Sequence, residues 1–190
     1  MSIPHEREPA LGVLEVASIT RGMHAVDAML KRAASRVVLA RPVTPGKFVI
    51  VLRGGEQEVA ESLAAGRERA DADEVDSLLL PGVHPALPPA LDGLPLPRTL
   101  ERSVGLLEMT TVAATLHAAD AALKAADVAL VGLGLARGIG GKGWLALEGT
   151  QDAVEAALEA GDDAVAPERR AGRELIARPH PELVHALFGQ

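Results

Sequence analysis

An α+β protein made of two copies of one small domain is what this sequence of 190 residues predicts. Three observations carry that expectation. The first is a repeat: LGVLEVASITRGMHAVDAMLKRAA at Leu11–Ala34 returns as VGLLEMTTVAATLHAADAALKAAD at Val104–Asp127. Gly12, Leu14, Glu15, His24, Ala25, Asp27, Ala28, Leu30, Lys31 and Ala33 recur as Gly105, Leu107, Glu108, His117, Ala118, Asp120, Ala121, Leu123, Lys124 and Ala126. Chance does not produce that many identities in one register, and a repeat decides the architecture before any local reading does. The second is that each copy alternates short aliphatic runs with segments of helical periodicity. The third is a proline-rich stretch, HPALPPALDGLPLPRTLERS, between the copies, whose prolines cannot extend a helix interior or a central strand.

The elements follow in order. ALGVLEV reads as a strand from its branched and aliphatic run. Ile19, Met23, Val26, Leu30 and Ala33 then fall at helical spacing, and Val112, Leu116, Ala119, Leu123 and Ala126 repeat it. RVVLA and KFVIVLRG read as two strands joined by a tight loop carrying Pro42, Pro45 and Gly46. Pro45–Gly66 aligns with Gly140–Gly161 after two extra residues in the second loop. The helix that follows turns Val59 and Leu63 inward, matched by Val154 and Leu158. A short strand near Leu78–Leu80, with Leu175–Ala177 as its counterpart, closes each copy before a short helix. LLLPGVHPAL (Leu78–Leu87) aligns there with ELIARPHPEL (Glu174–Leu183). The order β-α-β-β-α-β is the split βαβ, ferredoxin-like unit, an antiparallel sheet with helices packed on it. The expected domains are residues 8–91 and 102–190, with residues 92–101 as linker.

Composition narrows the function. Aromatic residues are only 2% of the chain, so a core of Ala, Val and Leu must rely on close backbone approach. That scarcity also argues against base-stacking platforms for single-stranded nucleic acid. A net charge of −7 with no basic stripe argues against binding a phosphate backbone. Without cysteine there are no thiolate metal sites, iron–sulfur clusters or disulfides. The charged start MSIPHEREPA lacks an apolar signal core, and no apolar run reaches the roughly 20 residues that span a bilayer. The expectation is a cytoplasmic protein.

The glycine loop LGLARGIGGKGWLALEG (Leu133–Gly149) resembles a phosphate cradle, because Gly138, Gly140 and Gly143 satisfy G-x-G-x-x-G. A dinucleotide fingerprint, however, opens a helix whose N-terminus meets the pyrophosphate, and here GWLALEG reads as a strand. The P-loop pattern fails too, with Ala136 at its first glycine and Gly143 where Ser or Thr would hold Mg²⁺. The first copy has PVTPGKF at this place. The loop is read as a hairpin tip. Trp144 after it is expected to pack rather than to stack on a ligand.

Each half resembles a bacterial microcompartment shell domain. The resemblance rests on the openings ALGVLEV and SVGLLEM, the helix ends DAMLKRA and DAALKAA, the hairpin tip before a strand ending in Gly, and the closing ARPHPEL. Two such domains in strand-first, non-permuted order resemble the tandem-domain shell proteins, three chains of which form a pseudohexameric tile around a central pore. The resemblance implies a structural role without catalytic residues. It also implies a homotrimer, other shell proteins at the tile edges, and small metabolites passing the pore. Thr44, Pro45 and Gly46 of one tip and Gly138, Ile139, Gly140 and Gly141 of the other would surround that pore, where glycines suit backbones crowded at a symmetry axis. Lys31 and Lys124 match the family's edge lysine, and Arg178 and His180 the partner motif at that edge. The first copy departs there, with Gly82 in place of the arginine. Some tandem relatives hold an iron–sulfur cluster through a loop cysteine; this chain has none, and no cofactor is expected.

His24, Asp27 and Lys31 share a helix face, as do His117, Asp120 and Lys124. Their recurrence favours a role in assembly, so Asp27 and Asp120 are expected at the tile edge with the lysines; a solvated face and a ligand site are the alternatives, although His-x-x-Asp supplies two ligands where catalytic zinc takes three. Lys47 and Lys142 follow the two tips, and Arg137 adds charge in the second copy alone; basic rings favour anions in a narrow passage. The rival to a shell protein is a duplicated ferredoxin-like sensor or small-ligand enzyme, since this superfold hosts many functions.

Overall fold

The computed structural model describes residues 10–96 and 102–183. Residues 97–101 of the expected linker, and the domain ends at 8–9 and 184–190, lie outside the described residues. The chain divides into two compact units between Val83 and His84.

In the first unit the order is β1 (Ala10–Val16), α1 (Ile19–Arg32), β2 (Arg36–Val43), β3 (Lys47–Gly54), α2 (Glu56–Ala70) and β4 (Glu74–Leu80). The sheet runs β2-β3-β1-β4 with every pairing antiparallel. In the second unit, β5 (Ser103–Met109), α4 (Val112–Ala125), β6 (Ala129–Leu135), β7 (Gly143–Gly149), α5 (Gln151–Asp163) and β8 (Arg170–Ile176) make the sheet β6-β7-β5-β8, again antiparallel. This is the expected α+β architecture, written twice. The chain from His84 onward, including the short helix α3 (Leu87–Leu91), which the repeat assigns to the end of the first copy, groups with the second unit. Pro88 and Pro89 stand in the first turn of α3, where no N–H partner is required.

Local chemistry explains the boundaries. Ser18, Thr111 and Thr150 cap α1, α4 and α5, each accepting a hydrogen bond from the backbone N–H three residues on. The core of the first unit gathers Leu14, Val16, Met29, Phe48, Ile50, Leu52 and Leu63 between sheet and helices. Gly12 and Gly105, identical in the two copies, leave room for a helix. A Cβ there would stand 2.8 Å from Val59 Cγ1 in one unit and 2.6 Å from Val154 Cγ1 in the other.

Two expectations are corrected. Pro42 lies inside β2, opposite Phe48, and not in the loop. β2 is an edge strand, where a missing N–H breaks no ladder bond. The closing strands begin at Glu74 and Arg170, well before the aliphatic residues that announced them. They too are edge strands, and EVDS and RAGR carry polar side chains that need not alternate with apolar ones.

Candidate functional site

The hairpin between β2 and β3 places Thr44, Pro45 and Gly46 at an exposed tip, closed by Gly46 N–H donating to Val43 O at 2.8 Å. The tip between β6 and β7 is longer. Ala136 N–H donates to Lys142 O at 2.8 Å, and Lys142 N–H to Ile139 O at 3.3 Å. Gly138, Ile139 and Gly140 are exposed there, whereas Gly141 is buried. Gly46, Gly138, Gly140 and Gly141 have φ of 127°, 71°, 65° and 78°. Those backbones favour glycine, because an L-residue in the left-handed region costs about 1–2 kcal/mol, a cost that Ala136 at 56° bears in the same tip. A Cβ on Gly46, Gly138 or Gly140 would meet nothing within 4 Å. Conformation, not crowding within the chain, accounts for these glycines.

The structure divides the basic residues near the tips. Lys47 Nζ lies 2.7 Å from Glu15 Oε2, with Glu15 fully buried and Lys47 nearly so. Lys142 pairs the same way with Glu108 at 2.8 Å, but both side chains there are about half exposed. The lysines expected as free cations after the tips are thus neutralised by carboxylates on the neighbouring strand. Arg137 is exposed, with no salt bridge among the described residues. Its charge is open to solvent, whereas that of the half-exposed Lys142 is paired with Glu108. Glu15 and Glu108 were visible as an identity between the copies, but their partners, 32 and 34 residues away, were not.

On α1, Asp27 Oδ2 accepts from Lys31 Nζ at 2.6 Å. On α4, Asp120 Oδ2 accepts from Lys124 Nζ at 2.5 Å. The pairs match in geometry and differ in setting: the Asp27 side chain is 54% exposed and that of Asp120 only 6%. Asp120 Oδ1 accepts from the backbone N–H of His84 at 2.7 Å, a contact the sequence did not announce. His24 is exposed and His117 half-buried. Among the described residues no three His, Cys, Asp or Glu side chains converge as a metal site would require. Arg178 and His180 are exposed on the turn after β8, and Arg178 takes φ of 54° where the first copy has Gly82 at 58°. The arginine thus occupies a backbone shape that the first copy fills with glycine.

A shallow groove of about 410 Å³ lies on the second unit's sheet, lined by Leu106, Glu108, Ile139 and Trp144 among others. The indole of Trp144 lies against Gly132, where a Cβ would come within 2.7 Å of it. No helix among the described residues is long and apolar enough to cross a membrane.

A family model described as the BMC domain matches residues 10–83 and again 103–179. The bacterial microcompartment shell protein PduT of Citrobacter freundii is 38% identical over 177 residues, which cover 92% of this chain and 95% of that one. The carboxysome assembly protein CcmO of Synechococcus elongatus is 30% identical over 213 aligned positions, covering 98% of this chain and 72% of the relative. Among solved structures, a microcompartment protein from Desulfitobacterium hafniense superposes with a TM-score of 0.83 at 35% identity, covering 92% of this chain and 97% of that one.

Proposed function

The chain belongs to the BMC-domain family with two domains in tandem and is a structural component of a bacterial microcompartment shell, and from this we propose that three copies close into a pseudohexameric ring. The observation that carries the proposal is the pair of matching domains, each with an exposed hairpin tip between the same two strands. Six such domains, alternating in kind, close a ring when a head-to-tail contact repeats three times by rotation. The tips Thr44–Gly46 and Gly138–Gly141 then surround a threefold opening. Lys31, Lys124 and Arg178, all exposed, face neighbouring tiles and other shell proteins.

Light scattering at micromolar concentration is expected to return three times the 19.7 kDa chain mass, or a multiple of it if rings stack. A stable monomer overturns the ring. Lys31→Gln combined with Lys124→Gln keeps a donor for each aspartate and removes the charge. The double variant is expected to keep the trimer mass and lose sheet assembly in negative-stain images. Sheets indistinguishable from wild type would remove these lysines from the edge.

The opening passes small polar or anionic metabolites, and Arg137 supplies its positive charge, since Lys47 and Lys142 are paired. Arg137→Glu is expected to slow anion entry into reconstituted shells relative to a neutral solute of similar size. Lys142→Gln should change it little. Equal anion entry for Arg137→Glu and wild type leaves the width of the opening as the filter.

A further inference from the structure

The two units are alike in sequence and unlike in exposure. On α1, Ile19, Met23 and Leu30 are 36%, 55% and 46% exposed, while their counterparts on α4, Val112, Leu116 and Leu123, are at most 5% exposed. On the sheets the asymmetry reverses. β1 is buried along its whole length and Val49 on β3 is buried, yet Leu106, Glu108 and Trp144 at the matching places are partly open. β8 is also more exposed than β4. The open apolar face of α1 and the open sheet face around Leu106 and Trp144 thus have buried counterparts in the other unit.

One polar contact tells what settles on α4. The turn after β4 brings the His84 N–H to Asp120 Oδ1 at 2.7 Å, while Oδ2 stays with Lys124. The turn after β8 is built the same way. Gly82 and Arg178 share a left-handed backbone. His84 Nδ1 accepts from Ala86 N–H at 3.3 Å, and His180 Nδ1 from Glu182 N–H at 3.2 Å. Leu87 N–H reaches His84 O at 3.0 Å, and Leu183 N–H reaches His180 O at 2.9 Å. Among the described residues, His180 N–H has no acceptor and Asp27 Oδ1 no donor.

We propose that the turn carrying His180 docks on α1 of a second copy of this chain, its N–H donating to Asp27 Oδ1 there. In the same contact the open sheet face around Leu106 and Trp144 and the open apolar face of α1 close against partner copies. The inference rests on the ring reading and specifies the joint of that ring. It moves Asp27 and His180 from contacts between tiles to contacts inside one tile, and leaves Lys31 and Arg178 at the rim. The contact is heterologous, so it repeats and closes by rotation.

The chain has no cysteine, which makes an engineered pair unambiguous. Asp27→Cys with His180→Cys, joined by a short bismaleimide in dilute protein without sheets, is expected to yield covalent species that stop at three chains. His84→Cys with Asp120→Cys is the control and should link within one chain. Asp27→Ala is expected to weaken self-association roughly tenfold or more, as loss of a hydrogen bond to a charged acceptor does. Asp27→Asn, which keeps an oxygen acceptor, should weaken it less. Trimers by light scattering that fail to link overturn this joint and leave the ring intact. Linked ladders that run past three chains, and form only in sheets, overturn it in favour of a contact between tiles. A monomer by light scattering overturns the ring itself.

Discussion

Lys47→Met is expected to destabilise the protein by about 3–5 kcal/mol, the typical cost of removing one member of a buried ion pair. Glu15 is the next-to-last residue of β1, fully buried, and Lys47 opens β3 beside it at 2.7 Å. The second unit provides the control. Glu108 and Lys142 repeat the pair at 2.8 Å but stand about half in water, so Lys142→Met is expected to cost about 0–1 kcal/mol, as exposed pairs do. Combining Glu15→Leu with Lys47→Met should recover most of the loss, because two apolar groups require no ionic partner. Urea midpoints at one fixed chain concentration read the series; the concentration is held because self-association adds to apparent stability. Equal losses for Lys47→Met and Lys142→Met would show that burial does not separate the two pairs.

Phe48→Ala is expected to cost about 3–5 kcal/mol, as emptying a buried aromatic site does. Phe48 is 4% exposed and sits in the first unit's core under Gly22 of α1. A Cβ on Gly22 would stand 2.6 Å from Phe48 Cγ. The second unit solves the same contact with the sizes exchanged: Thr115 on the helix and Gly143 on the strand, where a Cβ on Gly143 would come 2.9 Å from Thr115 Cβ. Gly22→Thr alone therefore overpacks the site, at a cost of about 1–3 kcal/mol. Gly22→Thr with Phe48→Gly imports the second unit's arrangement into the first. The pair should be less destabilising than the sum of its members, a coupling expected of residues in contact. Strict additivity would mean that the two positions do not share one packing volume.

Much of the fold is legible in residue order because its signals are local. The repeat set two domains, helical spacing set α1 and α4, and a strand after the glycine loop removed the nucleotide reading. Local signals lose force at the sheet edges. Pro42 looked like a loop residue because nothing in its neighbours says that its strand lies at an edge. EVDS and RAGR carried no strand pattern because at a sheet edge their side chains are partly or fully exposed and none has to be apolar. The two tips were found by alignment, but the reason for their glycines was not: left-handed backbone angles favour them before any symmetry axis does.

Charge was the least legible property. Lys47 reads as a free cation until the strand pairing brings Glu15 beside it. The sharpest limit lies in residues that the repeat makes equal. Asp27 and Asp120 share their helix position, the histidine three residues before and the lysine four residues after, and the chain alone treats them as one residue written twice. Tertiary structure separates them, since the turn after β4 covers Asp120 and no described residue covers Asp27. Periodicity and repeat identity belong to the segment that carries them, so the sequence by itself determined the elements and their order. Burial belongs to whatever arrives from elsewhere in the chain, so only the tertiary structure decided which of two corresponding faces is closed and which is open.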